Sequence, residues 1–480
     1  MRRLLPDFSS PEQRNALGYA ATTLAASMMN SIFQFYYVKL YLDVYRLSSG
    51  WFQAGQVIFL VWNAINDPLF GWLQDTSKVS WLSDRKKNIL YGAPLFVLSF
   101  LVPWFPQYLH GVPMWVLGTH MVLVLCFYDT MFTFVLLAQC ALFTELSPNQ
   151  EDRQRLVKYS QVASIVGSSS VYFSQVISSN ATDVSRLSTF CVVIAVLSYC
   201  FLYLSAKNMS PAVIRDSSAA SSLSGHNDAT STAGDAASFY TWLSQVKQIM
   251  KQPNFLLFVG MNFCQIFHTT FRSNFFAVFA DHLIGLRFGV EFLHFIAGLA
   301  YVLPQVVVLL AGTALARWGS YNLVMWSFVF KVVASLAMFV AGRHALLLLA
   351  VFFVLDRGVA EATFSLFNLS LSDIIDADSS RHRRQQPCSS TVFGLNALFT
   401  KPAQSLAPIF TVQIMDMYGY TRGIGLTAME GAPAATLADG MFLLLCGLPT
   451  LLGAIQLLLW KFYTLRSTHT ASLLLPTDVR

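Results

Sequence analysis

Charge is what this chain of 480 residues has least of: Asp, Glu, Lys and Arg make up only 12% of it, against 55% hydrophobic residues. A globular domain carries roughly 25% charged residues. A water-soluble fold of this length has too few charges here to cover its surface, so the natural solvent is a bilayer. Paired cysteines are missing too. None of the 7 cysteines forms a C-x-x-C, and most lie in apolar runs, so they read as small buried hydrophobes and not as disulfides or metal ligands. The 9 histidines are scattered. No P-loop, G-x-S-x-G or H-E-x-x-H occurs, which leaves ATP-driven transport and hydrolysis without a motif. The opening MRRLLPDFSSPEQRN lacks the apolar core of a cleavable signal: Asp7, Glu12 and Arg14 interrupt it. The basic loops read as orientation signals and not as a nucleic-acid site. No enzymatic function, cofactor or structural metal is expected.

Apolar runs are abundant. A membrane-spanning helix needs about 20 apolar residues. Twelve candidates occur, at about 17–42, 51–74, 89–107, 113–140, 159–180, 188–206, 255–280, 289–314, 321–341, 345–369, 391–416 and 440–461. Between the sixth and seventh lies SPAVIRDSSAASSLSGHNDATSTAGDAAS, a Ser-, Ala- and Gly-rich linker, followed by FYTWLSQVKQIMKQ, which reads as a short amphipathic surface helix. The expected organisation is an N-terminal tail (1–16), a six-helix bundle (17–206), a linker (207–252), a second six-helix bundle (253–461) and a tail (462–480). Such a duplicated all-α membrane protein has the plan of a secondary transporter.

Lys and Arg cluster in alternate loops: Lys78 and Arg85–Lys87 after the second segment, Arg153, Arg155 and Lys158 after the fourth, Arg381, Arg383 and Arg384 after the tenth. The opposite loops hold isolated cations such as Arg46, Arg186 and Arg343. The positive-inside rule then puts both termini in the cytoplasm. It also puts the sequon Asn180-Ala181-Thr182 in an outer loop, where glycosylation of Asn180 is expected. Trp62, Trp72, Trp104 and Trp115 read as interface anchors.

The polar residues inside the apolar runs are few. A charge at the bilayer centre costs at least ~2.5–3.5 kcal/mol, so those present face the bundle interior. WNAINDPLFGW in the second segment sets Asn63 and Asp67 one turn apart on one face, with Asn66 adjacent and Pro68 expected to open the backbone. A carboxylate, amide oxygens and freed carbonyls are hard ligands suited to Na⁺, and the carboxylate alone suits H⁺. A static Asp–Asn network locking two helices is the alternative. Asp129 stands alone in the fourth segment and Lys401 alone in the eleventh; they read either as a fixed ion pair or as partners that exchange when a cation enters. Arg357 and Glu361 form a local i, i+4 pair beside Asp356. His268 and Arg272 share a face of the seventh segment and line a solute pathway or a polar helix interface. Lys331 lies too deep in its segment for its ammonium to reach an interface.

Several of these segments together resemble a known family. WNAINDPLFGW, FYYVKLYLDVYRLS, FYD, ALFTELSPNQEDRQRLVKYSQ, SDIIDADSSRHRR and ALFTKPAQSLAP follow, in order, the pattern of the glycoside–pentoside–hexuronide:cation symporters, a major facilitator superfamily branch typified by the melibiose carrier. The resemblance implies cation-coupled symport of a small organic solute, carbohydrate in that family, in the plasma membrane. The family's cation site has two aspartates one turn apart in the second helix; the second matches Asp67, but the first is Asn63 here. The fourth-helix aspartate matches Asp129 and the eleventh-helix lysine, with a coupling role, matches Lys401. The resemblance therefore implies a site of Asp67, Asn63, Asn66 and Asp129. The melibiose carrier's sugar-holding aspartate, arginine and tryptophan fall at Ser27, Gln161 and Thr133, so the sugar clamp is largely replaced. Loss of one carboxylate leaves Na⁺, H⁺ or no coupling open. A lysolipid or other amphiphile is the alternative solute, and a non-transporting scaffold or receptor the alternative class.

Overall fold

The computed structural model describes residues 11–76, 79–106, 111–146, 150–178, 183–210, 244–285, 289–383, 389–420 and 434–465. Among them there is no strand. The helices are α1 (Pro11–Lys39), α2 (Ser49–Thr76), α3 (Arg85–Leu101), α4 (Met114–Leu146), α5 (Gln150–Ser168), α6 (Ser170–Ser178), α7 (Val184–Asn208), α8 (Pro253–Leu283), α9 (Val290–Ala341), α10 (Leu346–His382), α11 (Ser389–Thr400), α12 (Pro402–Met417) and α13 (Ala434–Phe462). A short helix, Ser80–Ser83, precedes α3, and residues 244–250 form another before α8.

These helices make twelve crossings. α5 and α6 are one crossing broken at Ser169, whose hydroxyl turns back onto the Val166 carbonyl at 2.6 Å. α9 holds two crossings joined at Gly319, where φ is +75°, a value a side chain would resist. α11 and α12 are one crossing interrupted at Lys401, because Pro402 brings no N–H to continue the ladder. Five of the segments are long and apolar enough to span a bilayer by length and composition alone: Met114–Phe143, Val184–Asn208, Val290–Leu310, Arg317–Ala341 and Leu437–Phe462. The others owe their lower hydropathy to polar residues turned inward, while large apolar side chains such as Leu123, Val196, Leu310 and Leu458 face outward, toward lipid.

Local chemistry sets the helix ends. The Asp84 carboxylate accepts from the N–H groups of Lys86 and Lys87 at 3.0 and 3.3 Å, capping α3, and Asp183 accepts from Arg186 at 3.1 Å, capping α7. Pro11, Pro253 and Pro402 open their helices, where the missing N–H costs nothing. α2 runs unbroken through position 68, so the expected opening of the backbone there is not a break in the helix.

The chain divides into two compact units. The first comprises Met1–His226 with Asn274–Ala280 and Arg287–Gln305; the second comprises Asn227–Ser273, Asp281–Leu286 and Val306–Arg480. The first unit is tied together by polar contacts as well as apolar ones. Thr22 and Ser205 hydroxyls meet at 2.6 Å between α1 and α7, and Gln175 of α6 donates to the Tyr36 hydroxyl at 2.8 Å. Phe33 stacks on Tyr128 at 3.9 Å between ring centres. Trp104, expected at an interface, is instead fully enclosed beside Phe33, Tyr36 and Phe100. The second unit has an aromatic core in which Trp460 stacks on Tyr463 and Tyr321 and donates its indole N–H to the Tyr321 carbonyl at 3.1 Å.

Candidate functional site

Among the described residues, charged and polar side chains gather inside each unit. In the first unit, α2 and α4 pack so that Asn66 faces the carboxylate of Asp129. The Asn66 amide donates to Asp129 Oδ2 at 2.7 Å and to Thr133 Oγ1 at 3.2 Å. Thr133 in turn donates to Asp67 Oδ1 at 3.2 Å. A continuous chain Asp129–Asn66–Thr133–Asp67 results. It follows from spacing: 129 and 133 are one turn apart on α4, and 66 and 67 offer adjacent directions on α2. Asn63 lies one turn before Asp67 and is buried. The other end of the Asn66 carboxamide, Oδ1, is buried and has no hydrogen-bond partner among the described residues. A buried carbonyl-type oxygen left unpaired costs about 1–3 kcal/mol, so this cluster is short of a donor or a cation. Trp62 of α2 also donates to Thr130 Oγ1 of α4 at 3.0 Å, a further bond between the two helices.

Thr133 was expected to line the solute pathway; the structure places it inside the carboxylate cluster. Ser27 and Gln161, the two other clamp positions, do share a cavity. It has a volume of about 330 Å³, is lined by residues of the first unit only, and opens between α1, α4 and the neighbouring α5. Small-ligand sites begin at about 300 Å³. Its polar lining is neutral: Thr23, Ser27, Asn30, Gln139, Ser160 and Gln161, set against Phe132 and Phe143. Gln139 is held by Thr23 Oγ1 at 2.7 Å and the Tyr19 carbonyl at 3.1 Å. Ser160 Oγ and Gln161 Oε1 have no partner among the described residues, although both are buried. The cavity and the carboxylate cluster share α4, which carries Asp129 and Thr133 for one and Phe132, Leu136 and Gln139 for the other.

The second unit gathers the charges of α8, α9 and α10. Asp356 Oδ2 lies 2.9 Å from Arg272 Nε as an ion pair and is hydrogen-bonded to His268 Nε2 at 3.1 Å, all three side chains being buried. Arg272 also donates to the Phe353 carbonyl at 3.0 Å and lies 4.8 Å over the Phe353 ring. His268 and Arg272 thus both meet Asp356 inside the second unit. The local pair Arg357–Glu361 is present at 3.7 Å, and Ser273 bridges it, accepting from Arg357 at 2.5 Å and donating to Glu361 at 3.3 Å. Reasoning along single helices missed the Asp356–Arg272–His268 contact. Lys331 is enclosed, as its depth required, between Gln265 and Gln456. Lys401 sits half-buried at the α11–α12 junction of this second unit. Asn180 lies outside the described residues.

Comparison with known proteins agrees with this architecture. Residues 18–467 match the family described as MFS/sugar transport protein. Transmembrane protein 180 from chicken is 31% identical over 94% of this chain and 92% of that protein, and its mouse counterpart is 32% identical with the same shares. Sodium-dependent lysophosphatidylcholine symporter 1 from human is 30% identical over 121 residues, 25% of this chain and 21% of that protein. Among solved structures, the nucleoside transporter NupG superposes with a TM-score of 0.61 at 15% identity, covering 94% of this chain and 100% of the transporter, which establishes the fold. With twelve helical crossings, that fold and a family match across nearly its whole length, this chain is a multi-pass membrane protein that belongs to the MFS/sugar transport protein family of the major facilitator superfamily.

Proposed function

We propose that this protein is a cation-coupled symporter of a small, neutral, hydroxyl-bearing solute of the carbohydrate class, set in the plasma membrane with both termini in the cytoplasm. The observation that carries the reading is the Asn66 carboxamide. Its amide end is committed to Asp129 and Thr133, so its orientation is settled, and its oxygen is left buried without a donor beside two carboxylates. A monovalent cation supplies what that oxygen lacks. Asp67 and Asp129 would hold the cation, with Asn66 and Asn63 as neutral ligands, and Lys401 would balance charge during the cycle. Bound cation would draw Thr133 and Asp129 together on α4, the helix that also lines the cavity. Differential affinity for the cation in two conformations is what coupling requires.

The solute class follows from the cavity. Hydroxyls and amides ring it, aromatic faces flank it, and no charged side chain lines it among the described residues. Ser160 and Gln161 offer buried acceptors that a solute hydroxyl satisfies. A charged headgroup finds no partner there. A lysolipid remains the second reading because of the 121-residue similarity to the sodium-dependent lysophosphatidylcholine symporter.

The test is thermal unfolding of purified protein in Na⁺, Li⁺ and choline at several pH values. A ligand bound only to the folded state at a hundredfold excess over its Kd adds ~2.7 kcal/mol. The expected result is a rise in Tm with Na⁺ or with falling pH in the wild type, absent in Asp67→Asn and Asp129→Asn. Equal Tm values in all three salts and at every pH would sink the coupled reading. Uptake of labelled monosaccharides against lysophosphatidylcholine into proteoliposomes then separates the two solutes.

A further inference from the structure

The second unit contains a cage that none of the roles above uses. Gln265 on α8 and Gln456 on α13 point their carboxamide oxygens at one spot. Their orientation is fixed from behind: Gln265 Nε2 donates to the Ala360 carbonyl of α10 at 2.6 Å, and Gln456 Nε2 donates to the Met261 carbonyl at 3.1 Å and to Gln265 Oε1 at 2.9 Å. Neither amide is free to turn, so both oxygens are committed to a donor between them. Phe328 presents its ring to the same spot. Glycine at 453 lets α13 pack closely against the Lys331 stem; a Cβ there would lie 3.2 Å from Lys331 Cδ and 2.7 Å from Val332. Four helices therefore build a pocket of amide oxygens and an aromatic face, which is the lining that recognises a small ammonium ion.

That pocket is filled from within the chain. Lys331 Nζ donates to Gln265 Oε1 at 2.9 Å and Gln456 Oε1 at 2.7 Å and lies 5.6 Å from the Phe328 ring centre. Its side chain is buried, and among the described residues no carboxylate lies within ion-pair distance of it. Asp356, the carboxylate of the neighbouring cluster, is already engaged by Arg272 and His268. A lysine kept only for charge balance takes a carboxylate; this one is held by neutral oxygens. We propose that Gln265, Gln456 and Phe328 form a binding site for a monovalent ammonium-class cation, and that Lys331 is its tethered occupant, so that the second unit carries its cation permanently. The proposal stands independently of the cation reading for the first unit.

Removing the tether while keeping the cage tests it. The full-length Lys331→Ala protein is melted in methylammonium chloride and in choline chloride at equal ionic strength. The expected result is a Tm below wild type that methylammonium raises by about 3 °C at a hundredfold excess over its Kd and choline does not. Wild type, its cage filled, responds to neither. Adding Gln456→Leu to Lys331→Ala abolishes the rescue. A Lys331→Ala protein that responds equally to both salts, or to neither, overturns the proposal. Should Lys331→Ala give no folded protein, Lys331→Met decides. Gln456→Leu is expected to lower Tm more in the wild type, where it strips Lys331 of an acceptor, than in the Lys331→Met background, where only the bonds of Gln456 to Met261 and Gln265 are lost; an equal loss in both backgrounds overturns the proposal.

Discussion

The two buried polar clusters differ in what they lack. In the second unit the carboxylate of Asp356 is met by a guanidinium and an imidazole, and the ammonium of Lys331 by two amide oxygens. The carboxylate and the guanidinium answer each other, while His268 Nδ1 is buried without a partner among the described residues. In the first unit the carboxylates of Asp67 and Asp129 are linked through the neutral donors Asn66 and Thr133, and the Asn66 oxygen is left over. Opposite charges meet in the second cluster, whereas the first brings two carboxylates of like sign together with the Asn66 oxygen beside them, so the first reads as built for a cation from outside. The lesson is that the signs of the charges brought together say more about function than burial alone.

Breaking the cluster of opposite charges has the largest expected effect. Asp356→Asn leaves Arg272 buried without its counter-charge, and removing one partner of such a pair costs about 3–5 kcal/mol. Loss of folded protein at 37 °C, or a large fall in Tm regardless of added cation, is the outcome to look for. Wild-type stability in Asp356→Asn would erase the distinction between the units. The first cluster should behave the other way. Asp67→Asn is expected to fold with a Tm near that of the cation-free wild type and to lose the ~2.7 kcal/mol that a saturating cation adds; scanning calorimetry with and without Na⁺ measures both. Asn63→Asp sharpens the contrast by restoring a second carboxylate one turn before Asp67. It should tighten cation binding about tenfold, or ~1.4 kcal/mol, read as a shift in the Na⁺ or H⁺ concentration that half-saturates the Tm response. The smallest effect concerns the cavity. Cys140 is exposed and lines it, so a maleimide is expected to label Cys140 and bound solute to slow that labelling severalfold, while the buried Cys264 and Cys446 of the second unit stay unlabelled. Mass spectrometry of the labelled peptides checks this.

Much of the fold was legible along the chain because a helix in hydrocarbon must be apolar over about 20 residues. The sixth segment, expected at 188–206, is Val184–Asn208. The mismatches share one cause. Gln150 begins α5 nine residues before the apolar run at 159, and α10 continues to His382, thirteen beyond the run ending at 369. In both places the extra turns are charged, QEDRQR in one and SDIIDADSSRH in the other, so hydropathy reports the stretch inside the lipid while the backbone keeps its helical hydrogen bonds past it.

Of the candidate site, the sequence of this protein determined by itself which residues are too polar for their surroundings: Asn63, Asn66, Asp67, Asp129, His268, Arg272, Lys331 and Asp356 are all visible as exceptions within apolar runs. Helical spacing further determined the pairs one turn apart, such as Arg357 with Glu361. Which exception answers which was decided only by the tertiary structure. Thr133 joined the carboxylates and not the cavity, Asp356 turned to α8 and not along α10, and Lys331 found two glutamines on different helices. The reason is physical: periodicity specifies the direction a side chain leaves its own helix, whereas its partner depends on the rotation and depth of the helix packed opposite, which are settled by packing across the whole bundle.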